Sequence, residues 1–238
     1  MRSLSVIVPT LDEADEIEGT LGVARAALGA DVEWIVADGG SRDGTAEIAE
    51  GVEIAESRVR VLRCPPGRGG QMNAGARVAR GELLLFLHAD THLGPGARHA
   101  IEGAFDDAAV VGAAFRFALR GPLARRATGR LLTAWIRARG RLFRSATGDQ
   151  GIVCRRAHFE AVAGYPMWPL FEDLELFRKL KTVGRVVRLP VAAATSDRRW
   201  REHGPWRTMW RHGWLRLAYH AGADPVRLAR GYRRRTTP

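Results

Sequence analysis

Gly81-Glu82-Leu83-Leu84-Leu85-Phe86-Leu87-His88-Ala89-Asp90-Thr91 is the stretch on which the fold of this chain turns. Leu83 to Leu87 form a short, unbroken apolar run, as expected of a strand covered on both faces. A carboxylate at the end of such a strand is costly unless it is solvated, paired or metal-bound. Residues two apart on an extended segment share a face, so His88 and Asp90 point the same way. An imidazole and a carboxylate so placed can converge on one divalent cation, or on the phosphates it carries. Open α/β sheets bind ligands at this place, outside the carboxyl ends of their strands. The plainer alternatives are a turn or cap role for Asp90 and a hydrogen-bonded, half-buried histidine at His88.

Upstream, strand-like and helix-like segments alternate. Leu4 to Val8 reads as a strand, and Ala14 to Leu28 as a helix with Ile17, Leu21, Ala24 and Leu28 on one stripe. Val32 to Ala37 is a second strand, followed by the turn-rich loop Asp38 to Thr45 and a helix over Ala46 to Glu56. Val59 to Arg63 is a third strand, and Gln71 to Arg80 a helix. Such alternation predicts a mostly parallel sheet with helices on both faces. Downstream the pattern is less regular: a strand over Val110 to Leu119, a basic amphipathic helix over Leu123 to Arg144, a strand fragment Ile152 to Cys154, a helix over Glu172 to Thr182 and a last strand Val186 to Leu189. No repeat or low-complexity linker interrupts the chain, so the division expected is a catalytic domain over 1–197 and a basic extension over 198–238. The first strand runs into Pro9-Thr10-Leu11-Asp12-Glu13 rather than a Gly-x-Gly-x-x-Gly turn, which argues against a dinucleotide-binding fold. Carboxylates there repel phosphate but accept hydrogen bonds from ribose or a base edge.

The chain has 238 residues, enough to bury a sizeable core. Its 37 basic and 26 acidic residues leave a formal charge of +11, and Lys179 and Lys181 are the only lysines. Gly121 to Arg144 contain no carboxylate, and Arg198 to Arg235 are dense in arginine with only Glu202 and Asp224 opposing. The partner surface is therefore expected near the C-terminus, facing nucleic acid, anionic lipid or a phosphorylated substrate. Cys64 and Cys154 are too far apart for a zinc site or a disulfide scaffold, which suits a reducing compartment. The N-terminus lacks a signal-peptide pattern, and no stretch reaches the ~18 apolar residues of a spanning helix. The location expected is cytoplasmic, with a peripheral place on the inner membrane face as an option.

In order, SVIVPTLDEADEI, VADGGSRDGT, GRGGQMNAGARVARGELLLFLHAD, GDQGIVCRRAHFEAVAGYP and FEDLELFRKL resemble the family 2 glycosyltransferases of the GT-A fold, a Rossmann-like architecture, in particular small stand-alone bacterial members. The resemblance covers roughly residues 3 to 182. It implies a nucleotide-diphospho-sugar donor, a UDP-sugar being commonest, a divalent cation (Mn2+ or Mg2+) and inverting transfer to an acceptor hydroxyl. On that likeness Pro9, Thr10, Asp12 and Glu13 border the nucleoside, Asp38 takes the base or ribose, and Asp43 supports the same pocket. Ser41 and Asp43 also suit plain turn and cap roles. Arg68 faces the diphosphate, while Asn73 belongs to the same block and suits a bracing role. His88-Ala89-Asp90 stands where the family has Asp-x-Asp: Asp90 matches the direct metal ligand, and His88, as donor contact or second ligand, departs from the pattern. Asp173 matches the catalytic base beside Glu172, although paired carboxylates opening a helix also favour its dipole. Asp149, in Gly148-Asp149-Gln150, is a competing base within an acceptor-type loop. Ser196 to Trp200 is faintly similar to the Gln-x-x-Arg-Trp block of polysaccharide synthases, with Arg199 toward the diphosphate and Trp200 stacking on the acceptor or packing in the core. The spanning helices of those synthases are absent, so transfer of a single sugar is expected.

Two other classes compete. A sugar nucleotidyltransferase needs a Gly-rich loop with Arg and Lys, which Pro9 to Asp15 does not supply, and a nucleic-acid surface leaves the carboxylate pattern unexplained. No nucleic-acid partner is expected. Trp206, Trp210, Trp214 and Leu217 form one helical stripe flanked by Arg207, Arg211 and Arg216, suited to a membrane interface or to packing against the domain or a second subunit. In the membrane case the acceptor is lipid or lipid-linked.

Overall fold

The alternation begins as expected in the computed structural model, which describes residues 2–54 and 57–233. β1 (Leu4–Thr10), α1 (Ala14–Leu28), β2 (Glu33–Asp38), α2 (Thr45–Gly51), the short ladder of β3 (Glu53–Ile54) with β4 (Ser57–Arg58), β5 (Arg60–Arg63), α3 (Arg68–Val78) and β6 (Leu83–Phe86) follow in turn. The helix expected over Ala46 to Glu56 stops at Gly51, a poor helix former, and the chain turns into the β3–β4 ladder. Ala55 and Glu56 lie outside the described residues. Next come β7 (Thr91–Leu93), α4 (Ala97–Phe105), β8 (Val110–Arg120), α5 (Ala127–Leu142), β9 (Ile152–Arg155), α6 (Arg156–Ala161), α7 (Glu172–Val183) and β10 (Arg185–Ser196). α8 (Arg198–His203), α9 (Pro205–His220) and α10 (Pro225–Arg233) close the described chain.

Eight strands form one sheet in the order β5-β2-β1-β6-β9-β8-β10-β7. β9 is antiparallel to both of its neighbours, and β7 is antiparallel to β10; every other neighbouring pair is parallel. It follows that β5, β2, β1, β6, β8 and β10 all run one way, so their carboxyl ends share one edge of a mixed but mostly parallel sheet.

Side-chain alternation explains why these strands are apolar throughout. Val6, Val8, Leu83 and Leu85 pack with Ile17 and Leu21 of α1 and Ile101 of α4, whereas Ile7, Leu84 and Phe86 pack with Met72 of α3 and Leu176 of α7. Helices cover both faces, and every position of β6 is buried. Phe117, Leu119, Leu132, Ile136 and Trp200 form a third cluster joining the far end of β8 to α5 and α8.

The last strand runs seven residues beyond Leu189, to Ser196. Its register with β8 shifts between Arg188 and Ala192, around Pro190, which has no N–H for the ladder. No periodicity announces β7, whose three residues are too few to alternate, yet it is β7 that pairs Thr91 with Thr195 and brings the end of β10 beside Asp90.

The C-terminal helices dock rather than trail. Arg198 pairs with Glu13 at 2.7 Å, Arg216 donates to Ser145 Oγ at 2.9 Å, and Tyr219 donates to Glu175 at 2.9 Å. Trp200 is buried, while Trp206, Trp210, Trp214 and Leu217 are 52%, 74%, 64% and 63% exposed. Within this chain the stripe faces outward, and Thr208, Leu215 and Arg216 form the packed face of α9.

Candidate active site

The carboxyl ends of β1 and β2 lead into two loops stitched together by side chains. Thr10 donates to Asp38 Oδ1 at 3.0 Å, and the other Asp38 oxygen accepts the N–H groups of Gly40 and Ser41 at 2.9 and 3.0 Å. Burial drives the Asp38 carboxyl up, but these bonds and that from the Ser41 hydroxyl outweigh it and hold it below the usual range. Asp12 accepts the Arg42 N–H, and Asp43 accepts N–H groups from Ala14 and Thr45, so it caps the starts of both α1 and α2. Ser41 and Asp43 thus act as turn and cap residues. Buried Gln71 clamps the two strands by donating to the carbonyls of Thr10 and Ala37, both at 2.7 Å. Pro9 lies in the buried strand, and Ala89, also buried, accepts from Thr20 through its carbonyl at 2.6 Å. Asn73 exchanges hydrogen bonds with the backbone of Tyr165, which makes it a brace.

Beyond the end of β6, Asp90 Oδ1 accepts the hydroxyls of Thr91 and Thr195, each at 3.2 Å, while Oδ2 makes no hydrogen bond among the described residues. His88 shares the same edge, with Nε2 buried and unpartnered. Burial, helped by the positive charge of Arg68, pushes its imidazole down to about 4. The imidazole is neutral at neutral pH. Gly148 lies against it so closely that a Cβ at that position would overlap Nε2.

The turn containing Gly148 joins His88 to the start of α7. Gly148 N–H donates to Asp173 Oδ2 at 2.6 Å, and Asp173 is buried. Glu172, beside it, pairs with Arg68 at 3.3 Å; its carboxyl stands above the usual range because burial outweighs that pairing. Asp149 accepts the Thr147 hydroxyl and is raised as well, by burial first and by the neighbouring Asp173 charge. Gln150 is buried and braces this turn, accepting from Arg188 at 2.6 Å and donating to the Thr147 hydroxyl at 3.0 Å.

Arg68, His88, Asp90, Asp149, Glu172 and Asp173 line one cavity of about 240 Å³. The carboxylates expected to react are therefore brought together, whereas Asp12, Asp38, Asp43 and Asn73 serve the framework beside it. Thr195, Arg139, Arg199, Trp200, His212 and Arg216 are also part of the lining. Thr195, Arg139 and His212 carry no local signal of this role, since β-pairing and helix docking alone bring them in. Trp200 packs in the third cluster and also lines the cavity.

Comparison with known proteins gives one consistent result. A family model described as glycosyl transferase family 2 matches residues 5–159. Glycosyltransferase AglD of Haloferax volcanii is 36% identical over 106 residues, which are 42% of this chain and 17% of AglD. A PGL/p-HBAD biosynthesis glycosyltransferase of Mycobacterium tuberculosis is 37% identical over 92 residues, 37% of this chain and 36% of that protein. The chain thus matches only about a third or less of these relatives' length. Among solved structures, S. aureus TarS residues 1–349 superpose with a TM-score of 0.63 at 19% identity, over 82% of this chain and 60% of that one. The mannosyltransferase PcManGT of Pyrobaculum calidifontis, solved with GDP-Man and Mn2+, gives 0.56 at 18% identity, over 81% and 56%. Glu172 and Asp173 lie beyond the segment that the family model matches.

Gly148 is the hinge of this geometry. Gly148→Ala forces the turn away from His88 and displaces the N–H that orients Asp173. A displacement on the order of 1 Å costs roughly 10²-fold, so turnover should fall by about that factor while the thermal midpoint moves only a few degrees. Unchanged kcat in Gly148→Ala would mean that the His88–Gly148–Asp173 alignment is immaterial.

Proposed function

The chain belongs to glycosyl transferase family 2 and is a glycosyltransferase, and from that premise we propose that it moves a single sugar from a nucleotide-diphospho-sugar, in the first instance a UDP-sugar, to an acceptor hydroxyl with inversion. The observation that carries this is the convergence of Asp90, Glu172, Asp173, Asp149, Arg68 and Arg199 on one cavity at the carboxyl edge of the sheet. The solved relatives support the donor class: TarS has been solved with UDP-GlcNAc, and PcManGT with GDP-Man. Family membership favours glycosyl transfer over a sugar nucleotidyltransferase.

The donor set suits a divalent cation. Asp90 Oδ2 is free of hydrogen bonds, and among the described residues no cluster of three or more His, Cys, Asp or Glu side chains forms a self-contained metal cage. One carboxylate completed by substrate phosphates is how Mg2+ and chemically similar cations are commonly held. Asp90 would bind the cation, with His88 beside it, and the bound cation would offset the charge of the departing diphosphate.

In the transfer, Asp173 takes the proton of the acceptor hydroxyl, whose oxygen forms a bond to the anomeric carbon from the face opposite the diphosphate. The bond from that carbon to the diphosphate oxygen breaks, and the nucleoside diphosphate leaves with the electron pair. Arg68 and Arg199 stand in the same cavity as cations for that leaving charge. Gly148 N–H holds one Asp173 oxygen, so the carboxylate meets the acceptor in a fixed orientation. Asp149 is the alternate base in the same wall.

The exposed tryptophans of α9 support a peripheral place on an anionic membrane surface. No helix of the described residues is long and apolar enough to cross a membrane.

Asp90→Ala should abolish manganese-dependent binding of a UDP-sugar in calorimetry without loss of the fold, and unchanged affinity would remove the assignment. Asp173→Asn should lower turnover by roughly 10²-fold to 10⁴-fold with little change in donor affinity. If Asp149→Asn shows that signature and Asp173→Asn keeps normal turnover, the base is Asp149. In co-sedimentation with anionic vesicles, binding should weaken with salt and drop when Trp210 and Trp214 become Ala; no sedimentation at low salt would refute the membrane placement.

A further inference from the structure

Arg139 and Arg216 stand out as cations without matching anions. Arg216 is 7% exposed, and its one hydrogen bond goes to the Ser145 hydroxyl. Arg139 lies over the Trp135 ring at 4.5 Å. The Nε of each is buried without a partner, and among the described residues neither forms an ion pair. Burial disfavours the charged form of both and the charge of Arg216 adds to this at Arg139, while the carboxylates that oppose it are Asp149 and Asp173, with Tyr219 acting the same way on Arg216. Holding two such cations at a cavity wall is costly unless an anion arrives to offset them.

The same two arginines line a second space, a groove of about 480 Å³ between α5 and α9 whose other walls include Trp135, Leu142, Phe143 and Leu217. The groove is largely apolar and shares Arg139 and Arg216 with the lining of the cavity that holds Asp149 and Asp173. Its outer rim is open: Leu142 is 77% and Leu217 63% exposed, and Leu217 continues the tryptophan stripe of α9. On the donor reading above, the nucleoside is assigned to the loops following β1 and β2 and its diphosphate to Asp90 and Arg68, so an anion at the α5–α9 wall is assigned to the other substrate.

We propose that the acceptor is an amphiphilic lipid phosphate, its anionic group held by Arg139 and Arg216 and its hydrocarbon chain lying in the α5–α9 groove, with the glycosylated hydroxyl turned toward Asp173. This rests on the glycosyl-transfer reading above. Guanidinium groups suit phosphate oxygens through paired hydrogen bonds. The apolar groove takes the chain, and the exposed tryptophans set the groove mouth at the bilayer from which such a lipid is drawn.

Octyl phosphate, octanol and inorganic phosphate, titrated into the full chain by calorimetry, separate the parts of this site. Octyl phosphate should bind on the order of tenfold or more tighter than either of the others, since it alone offers both charge and buried methylenes. Arg216→Gln should remove its advantage over octanol. Gly213→Leu, which adds bulk beside Trp135 at the groove floor, should remove its advantage over inorganic phosphate. Equal binding of octyl phosphate and octanol overturns the anion site, and equal binding of octyl phosphate and inorganic phosphate overturns the groove. Retention of both advantages in both variants overturns the location. Hydrolysis of a UDP-sugar with manganese by the unmodified chain is followed separately. Hydrolysis without octyl phosphate binding sinks only the acceptor proposal, whereas octyl phosphate binding with no hydrolysis of any nucleotide sugar counts against the donor reading instead.

Discussion

The structure depends on β6 being sealed on both faces. Leu83 and Leu85 bury into one core, Leu84 and Phe86 into the other, so the strand has no freedom to slide or rotate without exposing one set. Its end is therefore a fixed point, and Asp90 projects from it at a defined place on the carboxyl edge. Because β1, β2, β8 and β10 run the same way, the segments that follow them reach that edge too, and the site is assembled from loops far apart in sequence. The backbone that ends β10 reinforces this: Ser196 N–H donates to the Asp90 carbonyl at 3.0 Å, and Thr195 holds its carboxylate.

Rigidity at this edge comes from polar groups that satisfy one another. Asp38 is saturated by Thr10, Gly40 and Ser41, and Gln71 ties the ends of β1 and β2. Such buried polar networks are worthwhile only when every member is bonded, and here they leave few acceptors to spare for a ligand. The groups left under-satisfied lie deeper in the cavity: one Asp90 oxygen, the His88 Nε2, and the Nε atoms of Arg139 and Arg216. A site whose frame is closed and whose interior is open in this way is organised before substrate arrives.

The arginine excess divides by position. Arg198 is held by Glu13 and fastens α8 to the loop after β1, whereas Arg201 pairs with Asp197 at the start of its own helix. Arg139, Arg199 and Arg216 turn inward, and the segment from Arg198 to His220 becomes a wall of the candidate site's cavity as well as an outer surface. The docking that buries Trp200 and Leu215 leaves Trp206, Trp210 and Trp214 outside.

The sequence by itself determined the alternating architecture, the two-sided burial of Leu83 to Leu87, the order of the motif blocks and the candidacy of Asp90, Glu172, Asp173 and Asp149. The alternation and the two-sided burial are carried by local periodicity, the candidacy of Asp90 by its place at the end of the buried strand, and the block order with the candidacy of Glu172, Asp173 and Asp149 by the resemblance to family 2 glycosyltransferases. It also determined the helical stripe of tryptophans, but not which way that stripe would face. Only the tertiary structure decided that Asp38, Asp43 and Asn73 spend their hydrogen bonds on the framework, that Gln150 braces Arg188, and that Thr195, Arg139 and Arg216 belong to the site. The physical reason is the same in each case. Those roles depend on which partner stands within about 3 Å, and such partners are brought together by strand pairing and helix docking across tens of residues, where local pattern carries no information.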